Sequence, residues 1–434
     1  MSKKIIAPGY MHDFQCAGGD CEDTCCQKWD THLDKLHYDL LANKVGSSQQ
    51  EQTLFDANIF LQDKEHANQE NYAYIKLDKS GYCPFLNTAG LCHIHDQYGI
   101  EPLNDACTFF PRVLSKRDDT VELTGALSCP EVVRKCLFSE LDNQLPSEVN
   151  SDILPRAEYP ISRMIDTISS HYEARFYDVR EQMIALINDR DFAFETRLYF
   201  LANFSYRLAS HYRESGESSK RVDEEIKRIQ HAETKNQLDD FFFKFSNTEP
   251  VAIVVIQAIL QLRIQHEGHD KLSQLAREIL ESYKVGYERS EDFDVYGENI
   301  PPEKLADSFQ QHWEKLNTRY GVILEEYLTR YVTNCLQREW FISLPDPFVY
   351  IHMLTIRVAV LRFLITSHPG IIELVNSDTS YESSIEDFNK KIVEVMYLYA
   401  RSIDDNHSFL HVIFQAILEQ QMMSFDYSMA FIKL

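Results

Sequence analysis

The sequence predicts a mainly α-helical chain in two parts. A small cysteine-rich N-terminal domain with a short β-hairpin covers residues 1–145, and a large all-helical C-terminal domain covers residues 158–434. Nine of the ten cysteines fall in the first 136 residues and eight of the fourteen glycines in the first 140, after which only Cys335 follows. From about residue 160 the glycines thin out, and apolar residues recur at three- and four-residue steps, the spacing of one helical face. Between the two zones the sparse segment 142–158, with Pro146 and Pro155, leads into Tyr159-Pro160, a reasonable boundary.

In chain order, the first element predicted is a helix begun by Asp23 and Thr24 as N-cap residues, with Trp29, Leu33, Leu36 and Leu40 as its apolar stripe. That reading puts Cys25 and Cys26 in the first turn, where unpaired N–H groups and the positive end of the helix dipole favour a thiolate or an anionic metal–sulfur cluster. Adjacent residues on a helix point about 100° apart. The two thiols therefore suit two separate roles, or two irons of one cluster, better than one compact zinc site. Asn87 to Gly90 form a turn, so Cys83 and Cys92 flank a short hairpin on which their sulfurs converge. Past Cys107, a polar turn at Lys116 to Asp119 is followed by Val121 and Leu123 alternating with Glu122 and Thr124, a strand that returns Cys129 toward the other thiols. Cys136, on a helix after Pro130, and Cys335, inside an apolar helix, read as structural.

In the second zone Ile161, Ile165, Ile168, Tyr172, Phe176 and Val179 trace one helical face. Similar patterns cover 192–213, 222–245, 251–265, 271–285, 303–317, 320–340, 347–366, 384–400 and 408–422. Gly216, Pro250, Gly268, Pro301-Pro302, Pro345, Pro347 and Pro369-Gly370 separate them, giving nine or ten helices with no fixed-period repeat.

Composition narrows the function. A net charge of −24 opposes wrapping nucleic acid, which needs a positive footprint, and favours a basic or lysine-presenting partner. No membrane span is predicted, because Gln257 and Gln261 interrupt one apolar run and Arg357 and Arg362 another. The N-terminal residues form no apolar export segment, since Pro8 and His12 break them up, so a cytoplasmic, reducing location is expected. In that compartment dense cysteine points to metal thiolates rather than disulfides. The candidate ligands are Cys16, Cys21, Cys25, Cys26, Cys83, Cys92, Cys107 and Cys129, with His93 and His95 as further donors to be weighed against ordinary surface roles. Their spacing fits neither a zinc finger nor a ferredoxin run, and the C-x₃-C-x₂-C spacing begun by Cys21 and Cys25 meets Lys28 at its third position. No G-x-G-x-x-G nucleotide loop follows a strand.

The order of these residues resembles the zinc- or iron-chelating cysteine-cluster proteins and, within them, the flagellin lysine-N-methylase family. The matching text is Tyr10, Phe14-x-Cys16, Gly18-x-x-Cys21-x-Asp23-Thr24-Cys25-Cys26-x-x-Trp29, Cys83-Pro84-Phe85-Leu86 and Gly90-Leu91-Cys92-x-Ile94-His95, followed by Cys107-x-x-Phe110-Pro111-Arg112 and Ser128-Cys129-Pro130-Glu131. It covers residues 10 to about 135. The resemblance implies methyl transfer from S-adenosylmethionine to surface lysines of flagellin, with an iron–sulfur cluster of the 4Fe-4S type on the cysteines. Two other classes stay open on the sequence alone: a non-catalytic, zinc-structured protein-interaction module and an iron–sulfur redox sensor. Catalytic and cofactor-contacting side chains are not singled out among the many Tyr, Asp and Glu residues.

Overall fold

The computed structural model describes residues 4–27, 31–46, 48–63, 65–117, 119–140, 145–156, 163–164, 175–215, 218–245, 250–266, 270–283, 288–289, 294–295, 302–338 and 346–434. It divides into two compact units, Met1–Lys135 with Leu141–Met164, and Cys136–Glu140 with Ile165–Leu434. Mainly α architecture with a small β-containing N-terminal region is what the sequence led one to expect.

The first unit holds β1 (Lys4–Pro8), β2 (Thr31–Leu33), α1 (Lys35–Val45), α2 (Gln49–Asn58), β3 (Ile59–Leu61), β4 (Ala73–Ile75), α3 (His93–Tyr98), α4 (Asp105–Phe109), β5 (Arg112–Arg117), β6 (Thr120–Gly125), most of α5 (Pro130–Phe138), β7 (Pro146–Val149) and β8 (Arg163–Met164). Five of these strands form a sheet in the order β7-β1-β6-β5-β8. β5 and β6 are an antiparallel hairpin running from Arg112↔Gly125 to Arg117↔Thr120, while β1 joins β6 in parallel, Ile5 opposite Val121. The predicted alternation on β6 is only half realised. Glu122 and Thr124 are buried together with Val121 and Leu123, because β6 lies inside the sheet between β1 and β5. A second sheet, β2-β4-β3, packs Leu33, Ile59, Ala73 and Ile75 into a cluster with Leu41, Val45, Phe55, Phe85, Ile94 and Leu103, on which Cys83 and Cys92 rest.

The predicted helix through Cys25 and Cys26 is not formed. Residues 21–26 are an irregular loop and residues 31–33 are a strand, so the first helix begins only at Lys35, with the Asp34 side chain accepting from the His37 N–H at 3.0 Å. Pairing with distant backbone overrides the local capping signal. The Cys26 carbonyl accepts from the Cys83 N–H at 2.9 Å, and Thr31–Leu33 pairs with Ala73–Ile75. The buried face of α1 is accordingly His37, Leu41 and Val45, while Leu36 is 63% exposed. Trp29 lies outside the described residues, as do Ile161, Ile165, Ile168 and Tyr172.

The second unit contains α6 (Phe176–Ile187), α7 (Phe194–Ser215), α8 (Ser218–Gln230), α9 (Ala232–Lys244), α10 (Val251–His266), α11 (Lys271–Ser282), α12 (Pro302–Arg338), α13 (Pro347–Ser367), α14 (Pro369–Asn376), α15 (Tyr381–Tyr399), α16 (His407–Glu419) and α17 (Phe425–Ile432), with a two-stranded pair, β9 (Glu288–Arg289) and β10 (Asp294–Val295). Among the described residues these twelve helices exceed the nine or ten expected: one predicted segment splits, two merge into one, and two short helices are added. The extended backbone of His231 splits 222–245 into two helices. The buried series Leu305, Phe309, Leu316, Tyr320, Leu324, Tyr327 and Tyr331 carries α12 unbroken through 37 residues, including Gly321. The eight-residue α14 and α17 are too short to show a period, and Pro369, read as a breaker, instead opens α14 at a position that needs no N–H.

All residues of α13 are buried. It is long and apolar enough to cross a membrane, but 94% of its most apolar window is enclosed by the unit itself. The arginines on it are internally partnered. Arg357 Nε donates to Asp404 at 2.8 Å, and Arg362 reaches Glu195 at 3.1 Å with its guanidinium over the Trp313 ring. Asp404 closes a π-helical turn, Ala400–Asp404, and also accepts from the Tyr331 hydroxyl at 2.7 Å.

His352 on the same helix sets a pH dependence. Its ring is fully buried, with Nδ1 2.6 Å from Ser428 Oγ and Nε2 unpartnered, and desolvation lowers its pKa from 6.5 to about 4. Between those values the unfolded chain takes up a proton that the folded chain refuses. The stabilisation is therefore complete above pH 6.5 and is lost as pH falls toward about 4, by on the order of 3 kcal/mol. Burial lowers His312 and His368 in the same direction. Urea unfolding midpoints measured from pH 7 to pH 5 should fall more steeply for the native chain than for His352→Leu; equal slopes would remove His352 from the account.

Candidate thiol centre

All ten cysteines are free thiols. The eight predicted ligands come from five separate stretches of the first unit, and the fold gathers them into two neighbouring groups. Cys26, Cys83, Cys92 and Cys107 are mutual electrostatic neighbours, as Cys16, Cys21 and Cys129 are. Cys25 links the two, being hydrogen-bonded to Cys26 and close enough to Cys16 and Cys107 to feel their charge. Among the described residues no three Cys, His, Asp or Glu side chains stand in an arrangement that could hold one metal ion.

Local backbone chemistry explains how each thiol is held. In the loop carrying Cys16 to Cys26, the Gly18 N–H donates to Cys16 Sγ at 3.4 Å and Cys21 Sγ donates to the Asp23 carbonyl at 3.3 Å. Asp23, the expected cap, instead accepts from the Gln27 amide at 2.6 Å, and Thr24 Oγ1 accepts from the Cys26 N–H at 3.1 Å. Arg134 on α5 clamps this loop with two bonds to the Glu22 carboxylate, at 2.5 and 2.7 Å.

The predicted hairpin between Cys83 and Cys92 is present. Asn87 and Leu91 bond across its tip, Gly90 supplies the left-handed turn residue at φ +75°, and Leu86 bridges Cys92. Cys92 then caps α3, and the Asn104 side chain caps α4 by accepting from the Cys107 N–H at 3.0 Å. Cys129 immediately precedes α5.

Further sulfurs accept hydrogen bonds from main-chain N–H groups a few residues on: Cys83 from Phe85, Cys92 from Ile94 and His95, and Cys129 from Glu131 and Val132. Such bonds favour a thiolate, although burial is the larger influence at each and raises Cys83 to about 12 and Cys129 to about 11. Cys107 is also pushed up by desolvation even though its residue is solvent-exposed. Cys26 alone moves down, to about 7, chiefly through its hydrogen bond with Cys25, with Thr24 assisting against burial.

The remaining candidates separate. His93 Nε2 is engaged by Glu51 at 2.8 Å, and His95 is exposed with its main-chain N–H serving Cys92. Cys136 and Cys335 are fully buried within the helical unit, burial raising Cys136 to about 12, as expected of structural cysteines.

Sequence reasoning gave no role to Arg112, which lies between Cys16 and Cys129 with its guanidinium over the Phe14 ring, 5.0 Å from the centroid, and its Nε bonded to the Ile153 carbonyl. A half-buried cation among thiols offsets the negative charge that metal–thiolate centres accumulate. Its place directly after a Cys-x-x-Phe-Pro run was the available signal.

The loop also touches the hairpin at a point where only glycine fits: a Cβ on Gly19 would lie 2.6 Å from the Ala89 carbonyl oxygen. Gly19→Ala should therefore lift the Cys16–Cys21 loop from the hairpin at a cost of roughly 1–3 kcal/mol. Denaturant titration of the purified chain reads that cost, and an unchanged midpoint would show that the loop relaxes freely.

The chain matches the family model described as the FliB lysine N-methylase C-terminal domain over residues 180–431. That match lies within the helical unit, beyond the N-terminal cysteines. Flagellar biosynthetic protein FliU of Salmonella muenchen is 32% identical over 135 residues, which are 31% of this chain and 76% of FliU. Proteins named Lysine-N-methylase from Salmonella choleraesuis (strain SC-B67) and Salmonella typhimurium (strain LT2) are each 27% identical over 202 residues, 46% of this chain and 46% of theirs. The chain thus spans about half the length of the curated lysine-N-methylases it matches. No solved structure matches it.

Proposed function

Because the chain belongs to the FliB lysine N-methylase family, we propose that it transfers methyl groups from S-adenosylmethionine to surface lysine ε-amines of flagellin, and that its N-terminal cysteines hold an iron–sulfur cluster of the 4Fe-4S type. At family level the activity is that of a lysine methyltransferase. The observation that carries the cluster reading is the gathering of eight free thiols in one unit, several of them, Cys16, Cys83, Cys92 and Cys129, receiving main-chain N–H···S bonds of the sort that tune metal–sulfur centres. The donor set fits: soft, free sulfurs on separate segments, with a cation, Arg112, beside them. Cys26, Cys83, Cys92 and Cys107 are the first choice of ligands, with Cys25 between them and Cys16, Cys21 and Cys129. An incompletely coordinated iron would supply a Lewis-acidic point for the amino-acid end of S-adenosylmethionine, a role left open by the missing glycine-rich nucleotide loop.

The transfer itself balances simply. The lysine nitrogen's lone pair forms the N–CH₃ bond as the sulfonium S–CH₃ bond breaks, the thioether leaves neutral, and one proton leaves the nitrogen. Deprotonation must work against a free lysine pKa near ~10.4, so a desolvated slot with a carboxylate or phenolate acceptor serves it. The chain's charge of −24 attracts lysine-bearing faces, and activity should decline as salt screens it.

The test begins with purification under exclusion of air. A brown, iron-containing protein that methylates flagellin supports the reading, whereas a colourless zinc protein without transfer leaves a structural interaction module. Cluster-free but folded protein then separates roles. Loss of cofactor binding on cluster removal supports iron as part of the cofactor site, and equal activity makes it structural.

A further inference from the structure

Within the helical unit one cation is held in a manner different from the ion-paired arginines around it. Lys433, the residue closing α17, places Nζ 4.0 Å from the centroid of the Phe242 ring, the shortest cation–ring approach among the described residues. Phe242 is itself backed by Tyr199, stacked at 5.1 Å and 17°. Among the described residues none forms an ion pair with Lys433. The two carboxylates whose charge reaches it are already engaged: Glu195 by Arg362 at 3.1 Å, and Asp239 by the Thr196 hydroxyl at 2.8 Å. The result is an ammonium gripped by a ring face in a negative field, without charged hydrogen bonds.

That distinction has a chemical consequence. Each methyl added to an amine removes an N–H donor, so a site built on hydrogen bonds loses grip as methylation proceeds. A site built on an aromatic face keeps it, because the ring's quadrupole attracts the cation whatever it carries. The surroundings also desolvate the amine. Burial lowers the Lys433 pKa, with Glu195 and Asp239 opposing. Beside this cradle, on α9, Phe241 is 57% exposed and stacks on Tyr199 at 6.3 Å, so an aromatic ring borders the site on its open side.

We propose that the Tyr199–Phe242 cradle is a binding site for lysine and methyl-lysine side chains, and that Lys433 is its resident occupant, which an incoming lysine of a protein substrate displaces. The substrate class rests on the lysine-methylase reading; the site rests on the ring geometry.

The experiment uses the full chain without any methyl donor, so that binding is read apart from catalysis. The probes are Nα-acetyl-trimethyllysine methylamide, its unmethylated counterpart, and the uncharged norleucine analogue, each titrated calorimetrically. Lys433→Ala should bind both charged probes roughly tenfold more tightly than the native chain, which must first release its own lysine. Phe242→Leu introduced into Lys433→Ala should remove that gain while the unfolding midpoint confirms a folded protein, since leucine keeps most of the buried volume. Norleucine binding as tightly as the charged probes, Lys433→Ala binding no better than the native chain, or Phe242→Leu retaining full affinity would each overturn the proposal and leave Lys433 as an anchor for α17. A chain that shows the expected binding but never methylates lysine would keep the cradle and discard the enzyme reading; methylation with no cradle binding would do the reverse.

Discussion

On the proposed reading of a cluster-bearing flagellin methylase, Cys26→Ser is expected to abolish iron retention and, with it, methyl transfer. Cys26 is the common neighbour of Cys25, Cys83, Cys92 and Cys107, so it is the one thiol whose loss affects every other member of that group. Serine keeps the size and the Thr24 hydrogen bond to the Cys26 N–H, so the backbone should stay in place and the missing sulfur alone be read. Disturbing groups that merely orient metal ligands costs 10–100-fold in affinity, so removing a ligand should cost more than about 100-fold. Cys136→Ala and Cys335→Ala should retain full iron, because both thiols are fully buried within the helical unit. Metal analysis of the three variants, purified side by side without air, decides the matter. Full loading of Cys26→Ser would falsify the ligand assignment.

Asp404→Ala should be among the most destabilising changes in the helical unit. The carboxylate is 2% exposed, receives Arg357 at 2.8 Å and the Tyr331 hydroxyl at 2.7 Å, and ends the π-helical turn after α15. Removing it buries the Arg357 charge without its counterion, a loss of about 3–5 kcal/mol for pairs of this kind. For a unit of this size that corresponds to a fall in melting temperature on the order of 10 °C. Asp404→Asn keeps the shape and can still accept from Tyr331, so it should recover part of the loss. Scanning calorimetry or a dye-based melt distinguishes the two, and an Asp404→Ala melt within about 2 °C of the native chain would show that water or a neighbour replaces the carboxylate.

The parts of this structure that can be read from sequence are those fixed by near neighbours. Asn87 to Gly90 specifies its own turn, so the hairpin under Cys83 and Cys92 follows from a dozen residues. The amphipathic helices of the second unit declare themselves by spacing, although 303–317 and 320–340 were read as separate helices and Pro369 as a breaker, where continuous burial and a helix N-terminus accommodate the chain. What could not be read is set by partners far along the chain. The residues around Cys25 and Cys26 satisfy a helix-start pattern, but their backbone is claimed by Cys83. The short β1, Lys-Ile-Ile-Ala-Pro, carries no sign that its partner is Thr120 to Glu122. For the thiol centre, the candidate cysteines were legible and their division into two groups linked by Cys25 was not, because that division arises from how separate loops meet.

The placement of β1 also governs the order in which the thiol centre can mature. β1 sits between β6 and β7, so the first strand synthesised finds its partners only after residues 120–125 and 146–149 have left the ribosome. The β5–β6 hairpin can close early, being local, whereas closure of β1 must await a span of more than a hundred residues and is correspondingly slow. Cys16, Cys21, Cys25 and Cys26 follow β1 directly, so they remain solvent-accessible nucleophiles until that closure, by which point all eight candidate ligands are translated. On the proposed reading, delivery of iron and sulfide follows closure of β1 and competes with oxidation. In oxygenated expression the expected defect is chain that is complete in its helical unit but mispaired among its first four cysteines.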